Sequence, residues 1–234
     1  MLLELEHVTK RFGGIVAIDD VSVDIDAGPI TGIIGPNGAG KTTLFNLIAG
    51  TYTPTAGSIR LHGEDVAGLP ANEIATRGIG RTFQIPRPFG EMTVEENLLV
   101  ANYDLPAEER SARVDETLDL LDLTHQRDTE GGNLSGGQQT LLEIGRVLML
   151  DPDLILLDEP AAGVNPKLVD RIASLIETSR GDRTFVIVEH DVTLISRLCD
   201  RVLVLNEGRL IADGDINEIK NDPEVRQAYL GGGA

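Results

Sequence analysis

The sequence predicts an α/β fold: a parallel core sheet, an antiparallel β subdomain beside it, and an inserted helical subdomain. Three observations predict it. A glycine-rich turn at residues 35–42, Gly-Pro-Asn-Gly-Ala-Gly-Lys-Thr, stands between a short apolar run at 30–34 and a helical pattern at 44–49. Apolar runs at 154–157, 184–188 and 202–205 alternate with helical stretches, the order that builds a parallel sheet. Near the N-terminus, residues 3–8 and 21–25 alternate apolar with polar, as half-buried antiparallel strands do.

Taken in order, those two N-terminal strands and a third at 57–63 form the antiparallel sheet, which carries Phe12. The turn that follows fits the phosphate-binding pattern G-x-x-x-x-G-K-[ST] at every fixed position. Gly35, Gly40, Lys41 and Thr42 fill it, with Pro36, Asn37, Gly38 and Ala39 between and Thr43 after. Such a turn points consecutive backbone N–H groups inward and adds the positive end of the helix to the cradle. Lys41 then reaches the β- and γ-phosphates, and the Thr42 hydroxyl ligates Mg²⁺. A βα turn that binds nothing has no need of both lysine and threonine there. The chain is expected to bind a nucleoside triphosphate.

Beyond Gln84 the pattern is mainly helical. Val114, Leu118 and Leu121 recur at i, i+4 and i+7, while Pro86, Pro88 and Pro106 divide the stretch into short helices. Ser135 takes the N-cap position before a helical run at 141–148, and Gly136 and Gly137 let a phosphate approach the exposed amides. The apolar run at 154–157 ends in Asp158 and Glu159, two carboxylates at the C-terminal end of a strand. The run at 184–188 delivers His190, and a hairpin turning near Glu207-Gly208 closes the core. One nucleotide-binding domain spans 1–230, its helical subdomain lies at about 86–150, and 231–234, Gly-Gly-Gly-Ala, is expected to be a disordered tail.

With the phosphate-binding loop in place, the string Leu-Ser-Gly-Gly-Gln at 134–138 resembles the signature of the ATP-binding cassette (ABC) ATPases. The resemblance implies a P-loop NTPase fold with a RecA-like parallel core. It implies that Ser135, Gly136, Gly137 and Gln138 bind the γ-phosphate held by an opposite subunit. Asp158 and Glu159 look like the Walker B pair, Asp158 holding Mg²⁺ through water and Glu159 acting as general base toward the attacking water. His190 resembles the switch histidine that hydrogen-bonds the γ-phosphate. Gln84, in Arg81-Thr82-Phe83-Gln84, matches the Q-loop glutamine that senses Mg²⁺ and water. Phe12 falls where the family sets an aromatic ring against adenine, although tyrosine is commoner there. Residues 161–166 match the D-loop except that Asn165 replaces an aspartate, and Thr140 replaces the basic residue that often follows the signature.

Composition narrows the class. The 234 residues give ample core for one large or two small lobes. No stretch approaches the roughly 18 consecutive apolar residues of a membrane span. The N-terminus lacks a signal peptide's basic start, so a soluble intracellular chain is expected. A single cysteine, Cys199, cannot form an internal disulfide and should pack as a small apolar residue. Acidic residues number 38 against 20 basic, a net charge of −18, which argues against nucleic acid as a partner. Adaptation to a salt-rich cytoplasm and ordinary acidity both account for this excess.

Residues 80–89 and 92–100, together with the ending at 225–231, resemble the ATPase subunits of branched-chain amino-acid importers. That resemblance implies an ATP-hydrolysing, Mg²⁺-dependent subunit paired with a second ABC ATPase subunit, identical or paralogous. It would be bound to transmembrane permease subunits and served indirectly by an extracytoplasmic solute-binding protein. Its place would be cytoplasmic, peripheral on the inner face of the cell membrane. A urea or amide importer and a soluble ABC ATPase without a permease are the alternatives. The lack of a long coiled-coil insertion argues against the chromosome-maintenance branch, and Glu159 with His190 argues against a regulatory subunit without turnover.

Overall fold

The computed structural model describes residues 1–102 and 105–230. Among them ten strands follow in chain order: β1 (Leu3–Phe12), β2 (Ile15–Ile25), β3 (Ile30–Ile34), β4 (Ala56–Leu61), β5 (Glu64–Asp65), β6 (Ile79–Arg81), β7 (Leu154–Asp158), β8 (Thr184–Val188), β9 (Arg201–Asn206) and β10 (Arg209–Gly214). They form two sheets. One is antiparallel, in the order β2-β1-β4-β5; the other runs β10-β9-β3-β8-β7-β6, parallel throughout except for the β10 edge.

The central parallel strands β3, β7 and β8 read as mostly apolar runs because both faces are covered. Leu154, Leu156, Val186 and Val188 join the core shared with the antiparallel sheet and α1 (Lys41–Ile48), whereas Ile155, Leu157, Phe185 and Ile187 join a second core under the helical region. That region contains α3 (Val94–Ala101), α4 (Ala107–Leu121) and α5 (Gly136–Met149); α2 (Ala71–Thr76) precedes it. Thr93 and Glu96 form a reciprocal capping box that starts α3. Val114, Leu118 and Leu121 are all fully buried, as their spacing requires, and Leu118→Ala would cost roughly 2–5 kcal/mol. Gly145 lets α4 and α5 approach closely, since a Cβ there would lie 2.4 Å from Leu121 Cδ1.

Some expectations needed adjustment. β1 and β2 are longer than the alternation implied, because irregular register between Leu5 and Val8 interrupts the period of two without ending the ladder. His7 stands there at φ 52°, its ring nitrogen 2.8 Å from Asp20 Oδ1. The third strand stops at Leu61, since His62 and Gly63 both take left-handed turn conformations. After β7 come α6 (Pro166–Thr178) and α7 (Val192–Leu198), and the chain ends in α8 (Ile216–Asn221) and α9 (Pro223–Leu230). Two acidic side chains start those last helices: Asp215 caps α8, and Asp222 Oδ1 accepts the N–H groups of Glu224 and Val225. Cys199 is mostly buried, and burial pushes its thiol up to about 12. The expected tail at 231–234 lies outside the described residues. No helix among the described residues is long and apolar enough to cross a membrane.

Candidate functional site

The phosphate-binding loop links β3 to α1, so the amides at the start of α1 open onto the C-terminal edge of the parallel sheet. Gly35 is required by close approach: a Cβ there would lie 2.2 Å from the Leu205 carbonyl oxygen. Lys41 is only 6% exposed, and its Nζ donates to the carbonyl oxygens of Gly35 (2.7 Å) and Pro36 (3.0 Å). Burial lowers its pKa, while the carboxylates of Glu159 and Asp158 oppose the shift. The ammonium is therefore held at the loop, facing two acids, before any phosphate arrives.

A cavity of about 360 Å³ is walled by Asn37–Thr43, by Ile15, Val16 and Ala17 of β2, and by Gln84, Glu159 and His190. Residues from four separate parts of the chain thus meet over the loop. Parallel pairing explains how. Asp158 is in register with Val188, so the residues leaving β7 and β8 emerge side by side. Glu159 Oε2 accepts from Gln84 Nε2 at 2.8 Å, and Glu159 Oε1 lies 3.0 Å from His190 Nε2. Glu159 holds this position at φ 50°, a backbone conformation costly for a non-glycine residue and concentrated at functional sites.

Asp158 lies deeper, 3% exposed. Its Oδ2 pairs with Arg81 Nη2 at 3.1 Å, and Oδ1 is buried with no protein partner. Burial raises its pKa in spite of Arg81. A buried carboxylate oxygen without a donor is costly, and a divalent cation is a fitting partner for it.

The signature residues stand elsewhere. Ser135 is the N-cap of α5, its N–H and hydroxyl both donating to Gln138 Oε1. Ser135 and Gln138 line a different cavity of about 460 Å³, together with Asn165, Lys167 and Arg171. Within one chain they do not border the cavity over the phosphate-binding loop. The two glycines differ: Gly136 faces open space, whereas a Cβ on Gly137 would meet Leu168 Cδ1 at 2.5 Å. Thr140 donates its hydroxyl to the Gly136 carbonyl, and Asn165 caps α6 by accepting from Leu168 N–H, so each departure from the family pattern has a local partner.

Phe12 is half-exposed, with Tyr52 edge-on at 5.1 Å and Lys10 Nζ 4.9 Å from its ring centre. It does not border the cavity; its hairpin partner Ile15, 70% exposed, does. Sequence reasoning passed over Ile15, Arg81 and Glu189. Arg81 bridges Asp158 to Asn46 Oδ1 (2.6 Å) on α1. Glu189 is buried, accepts the N–H groups of Ala161 (2.8 Å) and His190 (3.1 Å), and has its pKa raised by burial. Only its place next to His190 could have singled it out.

The ABC transporter family profile matches residues 18–162, and a profile for branched-chain amino acid ATP-binding cassette transporters matches 209–234. The chain is 42% identical to the high-affinity branched-chain amino acid transport ATP-binding protein BraF of Pseudomonas aeruginosa, over 98% of each chain. It superposes on MJ1267, an ATP-binding cassette of an ABC transporter, with a TM-score of 0.90 and 37% identity over 97% of this chain and 98% of that one. It also resembles the cassette MJ0796, seen as a dimer in a post-hydrolysis state bound to ADP and Pi, with a TM-score of 0.82 and 28% identity over 92% of this chain and 99% of that one.

Proposed function

The chain belongs to the ABC transporter family, and from that premise we propose that it is the ATP-hydrolysing subunit of an importer for branched-chain amino acids. The observation that carries the substrate class is 42% identity to BraF over 98% of both chains.

In this reading ATP lies along the cavity with its phosphates in the loop from Gly35 to Thr43. Lys41 exchanges its two carbonyl partners for phosphate oxygens. Thr42, Asp158 and Gln84 would hold Mg²⁺, which when bound would offset the charge of the phosphates. Glu159 accepts the proton of a water whose oxygen attacks the γ-phosphorus, while the bond to the bridging oxygen breaks and ADP leaves. His190, its backbone N–H held by Glu189 and its ring facing Glu159, holds the γ-phosphate in line. Phe12 and Ile15 offer apolar surface to the adenine ring.

Because Ser135–Gln138 sit away from the loop in one chain, a second subunit completes the site by laying its signature helix over the γ-phosphate. The groove between Phe83, Arg87, Phe89, Arg146 and Leu150 faces outward and would receive a permease segment. The chain is then cytoplasmic and held at the inner membrane face through that contact, with an extracytoplasmic binding protein delivering solute to the permease.

The test is copurification followed by transport. Tagged chain should bring down a multi-span membrane protein, and vesicles carrying the assembly should accumulate leucine, isoleucine or valine only with ATP on the cytoplasmic side. ATP-driven uptake of urea in place of these amino acids would overturn the substrate assignment.

A further inference from the structure

Glu143 is a buried acid that the catalytic scheme does not use. It is 5% exposed and lies two turns into α5, the helix whose first turn carries the signature. Residues 82–93, between β6 and α3, have no regular strand or helix ladder of their own to fix them. Glu143 supplies acceptors for two of its amides. One carboxylate oxygen accepts the N–H of Phe83, and the other accepts the N–H of Arg87 at 2.8 Å. These two amides bracket Gln84, whose side chain reaches Glu159. One turn further along α5, Arg146 donates to the Arg87 carbonyl at 3.0 Å and lies over the Phe89 ring at 4.6 Å. The outer side of the same segment is open, with Phe83 53% and Ile85 71% exposed.

A carboxylate has two oxygens with which to accept both amides: an apolar side chain would leave two partly buried N–H groups unpaired, and an amide has one acceptor oxygen. We propose that Glu143 is a positioning residue for hydrolysis, fastening the Gln84 segment to the signature helix so that Gln84 meets Glu159 only when α5 is in place. The inference rests on the reading above, in which Gln84 and Glu159 serve ATP hydrolysis. Glu143 itself does not line the cavity over the phosphate-binding loop; it acts through Gln84.

Hydrogen exchange on the full chain, combined with a double-mutant cycle, tests it. In Glu143→Ala the amides of Phe83 and Arg87 should exchange about tenfold faster, the loss of one charge-assisted hydrogen bond each, while α5 keeps its protection. Glu143→Gln, which folds with less risk, should release one of the two. ATPase kcat should fall by about tenfold with KM for ATP within about twofold, and in a Gln84→Ala background Glu143→Ala should lower it no further. Unchanged exchange at both amides, or multiplying effects of Glu143→Ala and Gln84→Ala in an active parent, would overturn the positioning role. A parent that binds ATP and never hydrolyses it, alone or with its permease, would instead overturn the functional reading, and the exchange data would still judge the clamp.

Discussion

Glu159 and His190 lie 31 positions apart in the chain, yet Glu159 Oε1 sits 3.0 Å from His190 Nε2. Sheet register brings them together: Glu159 N–H donates to the Val188 carbonyl at 2.9 Å, continuing the β7–β8 pairing by one residue past the end of β7. A carboxylate only accepts, so the imidazole nitrogen facing it carries a proton. With Gln84 on its other oxygen, Glu159 has both oxygens engaged.

Lys41 and Glu159 should fail in different ways. Lys41→Ala removes a buried cation from the loop, and ATP affinity should drop by about 10- to 100-fold, the range of one charged hydrogen bond. Glu159→Gln keeps the shape and a contact to His190 but cannot take the water's proton. Its kcat should fall by about 10²–10⁴-fold while ATP binding stays near the parent value. Calorimetric titration with ATP and a phosphate-release assay measure the two quantities. Hydrolysis at the parent rate in Glu159→Gln would remove Glu159 from the role of base.

Glu189 gives the site a pH signature in stability. Burial raises its folded pKa above the unfolded value, so the folded state holds the proton more tightly. Stability from this group is therefore full below the unfolded pKa and is lost as pH rises through the folded one. Glu189→Gln cannot titrate. The melting temperature of the parent minus that of Glu189→Gln should fall between pH 4 and neutrality and then level off, about 2–4 °C for each kcal/mol. A difference that rises over that range would mean that the hydrogen bonds from Ala161 and His190 outweigh burial.

The charge excess makes a separate prediction. At net −18, self-repulsion is screened as the Debye length shrinks from about 10 Å in 0.1 M salt to about 3 Å in 1 M. If the acidity is an adaptation to salt, melting temperature should climb steeply toward molar KCl. A flat profile would favour ordinary acidity.

Much of this was legible because the chemistry is written in contiguous strings. β3, β7 and β8 read directly as short, mostly apolar runs, since each is buried on both faces. Gly35 to Thr43 likewise needs only its own order. Glu143, Arg81 and Glu189 were not legible. A charged residue on an amphipathic helix or at a strand end reads as solvated, and only the packing of α5 against residues 83–87 turns Glu143 into a buried acceptor. Gly136 and Gly137 are likewise equivalent in sequence and separated only by Leu168.

That separation decides how the two-subunit site should be tested. A side chain at Gly137 would strike Leu168 of its own chain, so a dimer lost by that substitution would say nothing of the interface. Gly136 has nothing within 4 Å of a Cβ, and Gly136→Glu should leave the fold and the phosphate-binding loop intact. Neither loop nor signature alone surrounds a γ-phosphate, so the chain should be monomeric without nucleotide. ATP on Glu159→Gln should join two subunits, since the uncleaved γ-phosphate would touch the loop of one and the Ser135–Gln138 amides of the other. ADP should not join them. Adding Gly136→Glu should abolish the dimer while ATP still binds, because the new carboxylate would face the γ-phosphate across the interface. Light scattering reads the mass and a fluorescent ATP analogue reads occupancy. If the pairing partner is a paralogue, the same dependence should hold in the mixture, with Gly136→Glu on this chain weakening the site formed by the partner's loop. Persistent monomers in both settings with ATP bound would exclude a shared site, and a dimer indifferent to Gly136→Glu would place the contact elsewhere than the signature.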